Sequence, residues 1–268
     1  MPARYPERIV CLTEETTETL YLLGEERRIV GISGYTVRPP RARREKPRVS
    51  AFLSAKNDAI LALKPDLVLG FSDLQADIAR DLAKAGLNVV LFNQRSVEEI
   101  LSMVLVLSSM VGATGRGQKL IDDLQSNLDG VRVAAAKVKR RPKVYFEEWD
   151  EPMISAIRWV SELVEIAGGT DVFTSRSHSQ AANGRIVDSA AVLESAPDIM
   201  IASWCGKKFR PERVRAREGW SAVPAVRDGE LHEIKSAEIL QPGPAALTDG
   251  VRRLRAIISG WTEKRYAR

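Results

Sequence analysis

The chain has 268 residues, of which 44% are hydrophobic and 28% charged, and its formal net charge is +5. This composition is typical of a globular protein and excludes a disordered chain. No apolar run approaches the roughly 20 residues that a bilayer span needs, so the chain is not expected to be membrane-embedded. Two cysteines, Cys11 and Cys205, exclude a disulfide framework.

The basic charge permits a nucleic-acid partner, and the densest basic run lies at 41–48. This run follows Pro39-Pro40 and contains no aromatic residue that could stack on a base. A solvated loop explains it better, so no nucleic-acid partner is expected.

The first half of the chain alternates strand-like and helix-like segments. Its predicted elements are a strand at 8–12, a helix from the polar corner 13–16 to Gly24, a strand at 29–33, a proline-rich loop at 36–48, a helix from Asn57, a strand at 67–69, a helix at 73–85 and a strand at 88–93. Strands that alternate with helices predict an α/β sheet with mostly parallel strands.

One short pattern occurs twice, at 57–71 and at 188–203. Each copy begins with a capping residue and a short helix, which ends at Pro-Asp because proline cannot continue a helix and favours an extended residue before it. An uninterrupted apolar run follows, as in a strand covered on both faces. The repeat predicts two lobes of one design, with a cleft between them.

The second half repeats the alternation. Its predicted elements are a strand at 143–147, a corner at 148–152, a helix at 155–167, a polar loop at 174–185, a helix at 188–195, a strand at 198–203, a helix at 211–218 and a strand at 231–234.

A different segment joins the halves. From Gly117 to about Arg140 there is no proline, and apolar residues recur at helical spacing on one face. One long helix of roughly 35 Å is predicted. The predicted architecture is therefore two Rossmann-like α/β lobes (1–112 and 142–268) joined by a backbone helix (113–141), a stiff joint that should limit hinge closure.

These elements and several local sequences resemble a known family. The resemblance lies in segments 8–10, 16–18, 30–35 with Pro39-Pro40, 60–69, 163–169 and 196–198. In these segments the chain resembles the helical-backbone substrate-binding proteins of ABC importers, which deliver vitamin B12, haem and iron-siderophores, and it is most similar to the cobalamin-binding members.

The resemblance implies a non-enzymatic, monomeric protein without a cofactor, which captures a cobalamin-like corrinoid for an ABC permease. By position it implies ligand contacts at Tyr35, Phe71 and Trp204, and polar contacts between Glu238 and Gln241. The last loop lacks the acidic-plus-arginine pair expected for cobalamin itself. Permease docking would involve Asp77 in the first lobe and Glu212 in the second.

The residues themselves add further candidates, because ligands of open α/β sheets bind at the carboxyl ends of the strands. In the second lobe this rule selects Glu148 and Trp149, and Trp159 lies near such an end. Arg158, near a helix start, and His178, in the polar loop, are added as further candidates for the cleft. Tryptophans would bury a flat ligand. Carboxylates near strand ends (Glu14, Glu15, Glu147, Glu148, Asp150 and Glu238) would suit a cationic or amide-bearing ligand.

Several alternatives remain open. The ligand could instead be haem or a ferric siderophore. The resemblance implies a periplasmic location, yet no signal peptide is visible, so a cytoplasmic carrier is also possible. A chelatase-like enzyme would need a facing pair such as His178 and Glu148. Two distant histidines do not predict a metal site.

Overall fold

Two β-sheets organise the chain, one in each of two units. The computed structural model describes residues 4–137 and 140–266. The first unit comprises residues 1–94 and 98–124, and the second comprises 95–97 and 125–268.

The first sheet has six strands in the order β4-β3-β2-β1-β5-β6, and all pairs are parallel except the β3–β4 hairpin. The strands are β1 (Ile9–Cys11), β2 (Ile29–Ser33), β3 (Arg48–Ala51), β4 (Ser54–Ala55), β5 (Leu67–Phe71) and β6 (Val89–Phe92). Its helices are α1 (Glu14–Leu22), α2 (Ala42–Glu45), α3 (Asn57–Ala62), α4 (Ala76–Lys84) and α5 (Val97–Met110).

Both faces of this sheet are covered. Ile9 and Cys11 of β1 pack into one buried cluster with residues of α1 and α5, whereas Val10 packs into another with residues of α3 and α4. Because side chains alternate along a strand, an entirely apolar strand serves both clusters. The prediction of strands buried on both faces is confirmed here.

The second sheet has the order β11-β10-β7-β8, and β9 also pairs with β7. The strands are β7 (Lys143–Asp150), β8 (Met153–Ser155), β9 (Thr170–Asp171), β10 (Ile199–Ala202) and β11 (Leu231–Glu233). All are parallel to their neighbours except β8, which forms an antiparallel hairpin with β7. The helices are α7 (Arg158–Ile166), α8 (Thr174–Ser177), α9 (Ser189–Ser195), α10 (Pro211–Arg215), α11 (Pro224–Arg227), α12 (Ser236–Ile239) and α13 (Val251–Tyr266).

The long helix is α6 (Thr114–Ala135), which spans 22 residues and contains the boundary between the units, after Leu124. It begins three residues before the predicted start at Gly117. The structure ends it at Ala135, before the predicted end, and residues 138–139 lie outside the described part of the chain.

The two Pro-Asp repeats share one structural role. Asp66 accepts hydrogen bonds from the backbone N–H groups of Glu7 and Arg8, just before β1, at 2.8 and 2.9 Å. Asp198 accepts the corresponding bond from the N–H of Lys143, the first residue of β7, at 3.0 Å. In each unit the aspartate therefore aligns its own strand with the neighbouring one.

The residue before each proline corrects one expectation. Lys64 and Ala196 both have a φ of +45°, in the left-handed region, rather than the predicted extended geometry. The N–H of Ala196 bonds back to the carbonyl groups of Val192 and Leu193. The left-handed residue thereby closes the preceding helix, and its hydrogen bonds outweigh the extended preference of a residue before proline.

Other differences concern elements without a strong local signal. The corner predicted at 148–152 is wrong at its start, because β7 continues to Asp150 before turning into β8. The β3–β4 hairpin and helix α13 have no counterpart among the predicted elements.

Candidate ligand-binding site

The carboxyl edge of the first sheet exposes large apolar side chains. Tyr35, Leu53 and Leu74 follow β2, β3 and β5, and they are 58%, 69% and 59% exposed. Ligands of open α/β sheets bind outside the carboxyl ends of the strands, at the point where the strand order reverses. In this sheet β1 is that point, because β2 lies on one side of it and β5 on the other.

Two buried carboxyl groups lie at the same edge. Glu14 and Glu15 begin α1 directly after β1 and are 7% and 1% exposed. Burial, together with the charges of Glu15 and Glu18, raises the pKa of Glu14 to about 8. Burial also raises the pKa of Glu15 to about 7, against the hydrogen bond that Thr13 donates to it.

In each of these two side chains one carboxyl oxygen is unpaired within the described chain. Among the residues that the structure describes, the Oε2 atoms of Glu14 and Glu15 have no hydrogen-bond partner. Buried polar atoms are normally paired, so these two unpaired oxygens are groups that a ligand or water would satisfy.

Phe71 also lies at this edge but is buried. It is the last residue of β5, it is 6% exposed, and its N–H donates to the side chain of Gln75. Its side chain is therefore packed inside the protein, and its predicted contact with a ligand stays a prediction.

The carboxyl edge of the second sheet contains the acidic cluster at the end of β7. Glu147 is fully buried and accepts two hydrogen bonds from Arg217, at 2.7 and 2.9 Å. The hydroxyl of Tyr145 and the indole N–H of Trp204 also donate to it, each at 2.9 Å. A buried carboxylate needs such partners, because an unpaired charge would be costly there.

The other acids of this strand end are paired in the same way. Glu148 forms an ion pair with the buried Arg185 at 2.5 Å. Asp150 is held by Lys207 at 2.8 Å and by Arg213 at 3.1 Å. Burial alone would raise the pKa of Asp150, but these two cations and its own backbone hydrogen bond lower it. Glu147, Glu148 and Asp150, which were expected to accept N–H groups of a ligand, therefore already accept them from the protein.

The three tryptophans proposed as ligand contacts differ in burial. Trp204 is 4% exposed and packs edge-on against Phe209 in the core, with ring centroids 5.2 Å apart. Trp159 is also buried and donates to the carbonyl of Ile239. Trp149 is half-buried, and the ammonium group of Lys207 lies 3.8 Å from its ring centroid. Of the three, only Trp149 keeps a partly accessible ring.

The remaining predicted contacts are scattered over the second unit. Arg158 forms an ion pair with Glu162 in its own helix at 2.9 Å. His178 is exposed at the end of α8, Glu238 pairs with Arg253 at 3.3 Å, and Gln241 is half-buried. The structure brings Glu147, Trp149 and Trp204 to one strand edge, and their roles towards a ligand stay predictions.

The predicted docking residues are exposed, but each lies beside an arginine. Asp77 pairs with Arg80 at 2.7 Å, and Glu212 approaches Arg210 at 3.7 Å. Their contact with a permease stays a prediction.

Sequence reasoning missed the residues that surround these sites. Leu53, Leu74, Lys207 and Arg213 were not among the candidates. Residues 207–217, shortly after an apolar strand, contain six basic side chains and one acidic one, a signal that could have identified Lys207 and Arg213.

Two features are absent from the described residues, a cluster of metal-ligating side chains and a membrane-spanning helix. No three His, Cys, Asp or Glu side chains among them come close enough to hold a metal ion. None of the helices in residues 4–137 and 140–266 is both long and apolar enough to cross a membrane.

Comparison with known proteins decides the family. The sequence profile described as periplasmic binding protein matches residues 9–238. The chain belongs to the periplasmic binding protein family. This membership confirms the predicted resemblance and the α/β architecture of two mostly parallel sheets joined by a long helix.

Relatives within the family have several names. An uncharacterised ABC transporter substrate-binding lipoprotein of Bacillus subtilis is 23% identical over 93% of this chain and 79% of its own length. A vitamin B12-binding protein of Vibrio cholerae is 30% identical, over 62% of this chain and 61% of its own length. The apo structure of a periplasmic heme-binding protein from Roseiflexus superimposes with a TM-score of 0.79 at 21% identity, covering 94% of this chain and 99% of that one.

Proposed function

We propose that this family member captures a large flat tetrapyrrole, either a corrinoid or a haem, and presents it to the permease of an ABC importer. The observation that carries the proposal is the set of exposed apolar side chains at the carboxyl edge of the first sheet, with Tyr35, Leu53 and Leu74 each more than half exposed. Large apolar residues at such an edge favour a broad apolar ligand.

The names of the relatives support the same proposed function. One bears the name of an ABC transporter substrate-binding lipoprotein, one that of a vitamin B12-binding protein, and one structural neighbour that of a heme-binding protein. Their names also favour a location outside the cytoplasm, on or near the membrane where an importer would act.

An enzymatic role receives less support. The chelatase reading needs Glu148 to act together with His178, but the carboxylate of Glu148 is held by the buried guanidinium of Arg185. Breaking such a pair would leave a buried cation without a partner, at a cost of roughly 3–5 kcal/mol. The relatives named above are binding proteins.

The test is a titration with dicyanocobinamide, haemin and ferrichrome, followed by tryptophan fluorescence. We expect saturable binding of at least one of the two tetrapyrroles at micromolar concentration or below, with weaker binding of ferrichrome. Tyr35→Ala should weaken tetrapyrrole binding by about tenfold, because it removes a large exposed contact.

The control is Tyr266→Ala, which removes a partly exposed tyrosine (41%, against 58% for Tyr35) from the end of α13. It should leave the affinity unchanged. Saturable binding of ferrichrome alone would contradict the tetrapyrrole class, and no binding of any of the three would contradict the proposed function.

A further inference from the structure

The carboxyl edge of the second sheet contains a surplus of positive charge. The four acidic residues from 147 to 151 all accept an ion pair from a basic side chain, namely Arg185, Lys207, Arg213 or Arg217. Lys208 and Arg215 of the same basic segment are exposed, and the described residues offer neither of them an ion-pair partner. Of these four acids only Glu151 has a mostly exposed side chain, at 78%, whereas Lys207, Lys208, Arg213 and Arg215 are all exposed.

Asp150 orients two of these cations. Only 2% of its side chain is exposed, whereas the side chains of Lys207 and Arg213 are 38% and 47% exposed. One buried carboxylate thus fixes two half-exposed cations. Lysine has three donor hydrogens and arginine has five, so both keep donors that Asp150 does not use.

The backbone places Lys207 against an aromatic ring. After β10 the chain turns at Gly206, whose φ is +72°, and the N–H of Lys207 bonds to the carbonyl of Trp204. The ammonium group consequently lies 3.8 Å from the ring centroid of Trp149. This cation–π contact makes the half-buried tryptophan one side of a positively charged corner.

We infer that Lys207 and Arg213, beside the ring of Trp149, form a subsite for an anionic group of the ligand, such as a carboxylate on the rim of a tetrapyrrole. The inference rests on the proposed function and narrows it to ligands with free carboxylates. At this edge it replaces the expectation of a cationic or amide-bearing ligand, because Glu147, Glu148 and Asp150 are paired within the protein. Glu14 and Glu15, which also supported that expectation, lie in the first unit and are not part of this subsite.

The test compares two corrin rings that differ in charge. Dicyanocobyrinic acid has free ring carboxylates, whereas in dicyanocobinamide these groups are amides. We expect the wild-type protein to bind the acid at least tenfold more tightly at low salt, and this preference to shrink as NaCl rises, because salt screens charges that are exposed to solvent.

The variant Lys207→Gln should weaken binding of the acid by about fivefold, the effect of one half-exposed charge pair, and leave binding of the amide unchanged. Arg213→Gln should act in the same direction. Lys119→Gln is the matched control, since Lys119 also pairs with one aspartate but lies on α6 in the first unit, and it should change neither affinity. Far-UV circular dichroism confirms that each variant is folded.

Each result bears on one of the two proposals. Equal affinity for the two rings, or equal losses in Lys207→Gln and Lys119→Gln, would overturn the anionic subsite and leave tetrapyrrole capture standing. If neither corrin nor haemin binds to the wild-type protein, the proposed function fails and this subsite fails with it.

Discussion

At the residue scale, two carboxyl groups at a strand end are buried where their charged form is unfavourable. Glu14 and Glu15 are adjacent, nearly completely buried and placed at the start of a helix. The helix dipole there favours the charged form, but burial dominates and raises both pKa values. The folded protein consequently holds protons that the unfolded chain would release.

This difference gives stability a defined dependence on pH. A carboxyl group whose pKa is raised in the folded state contributes its stability fully below the unfolded pKa, near 4.5, and loses it as the pH rises through the folded values near 7 and 8. We expect the free energy of unfolding to fall by several kcal/mol, at most about 7 kcal/mol, between pH 5 and pH 9 on account of this pair.

In Glu14→Gln and Glu15→Gln that fall should be smaller, as measured by urea unfolding at a series of pH values. Glu98→Gln is the control, because Glu98 also lies in the first turn of a helix but is exposed. A wild-type stability that rises from pH 5 to pH 9 would contradict the assigned burial effect.

Of the two capping residues predicted for the repeats, Asn57 is the first residue of α3, and no side chain among the described residues caps that helix. Asp188 was expected to cap a helix, and its carboxylate accepts the N–H of Ala191 at 2.8 Å. The pairing of Glu147 with Arg217 was not foreseen, since 70 residues separate the two in sequence. Composition indicates that charges are present, but only the fold decides which of them meet.

At the scale of elements, the packing of α5 against α6 depends on a glycine. A Cβ at Gly117 would lie 2.0 Å from the Oγ atom of Ser108 and 2.4 Å from its Cβ. Real side chains do not approach so closely, so the two helix backbones would have to separate. Gly130 of the same helix has no neighbouring atom within 4 Å of that position.

The two glycines should therefore respond to alanine in opposite directions. Gly117→Ala should lower the free energy of unfolding by about 1–3 kcal/mol through overpacking. Gly130→Ala should raise it by up to about 1 kcal/mol, because alanine favours helix. Thermal unfolding of both variants measures the difference, and Ser108→Gly combined with Gly117→Ala should recover most of the loss. Equal stabilisation by both single alanine substitutions would refute the close approach.

Prediction at this scale succeeded for elements with a strong local signal. The Pro-Asp repeats marked β5 and β10 because proline stops a helix and an apolar run follows. The hairpins β3–β4 and β7–β8 were missed, since β4 and β8 are only two and three residues long and too short to show a periodic pattern. Helix α13 was missed although Leu254, Ile258 and Trp261 bury one face of it.

At the scale of the whole molecule, α6 is the continuous element in which one unit ends and the other begins. Residues up to Leu124 belong to the first unit and residues from Gln125 onward to the second. In the second unit the side chain of Asn127 bonds to the carbonyl of Leu247 and to Arg252. The helix thus continues without interruption from one core into the other.

Interrupting the helix at this boundary should uncouple the unfolding of the units. Gln125→Pro removes a backbone donor and introduces a clash one turn earlier, at a cost of about 3 kcal/mol or more. All five tryptophans lie in the second unit, at positions 149, 159, 204, 220 and 261, so their fluorescence reports that unit, whereas far-UV circular dichroism reports both.

If α6 couples the two units, the two signals should change together during urea unfolding of the wild-type protein and of the control Gln125→Ala. In Gln125→Pro they should separate. Coincident transitions in the proline variant would show that the helix does not carry the coupling.

The sequence by itself determined the α/β class, the repeated strand unit, the long helix and the resemblance to a binding-protein family. Each of these follows from local periodicity, from helix-stopping residues or from short motifs, which the chain carries along its length. Only the tertiary structure decided that the acids of β7 are paired, that Trp204 is buried and that Lys207 lies against Trp149. Burial and ion pairing depend on residues that are far apart in the chain, and such residues meet only when the sheet has formed.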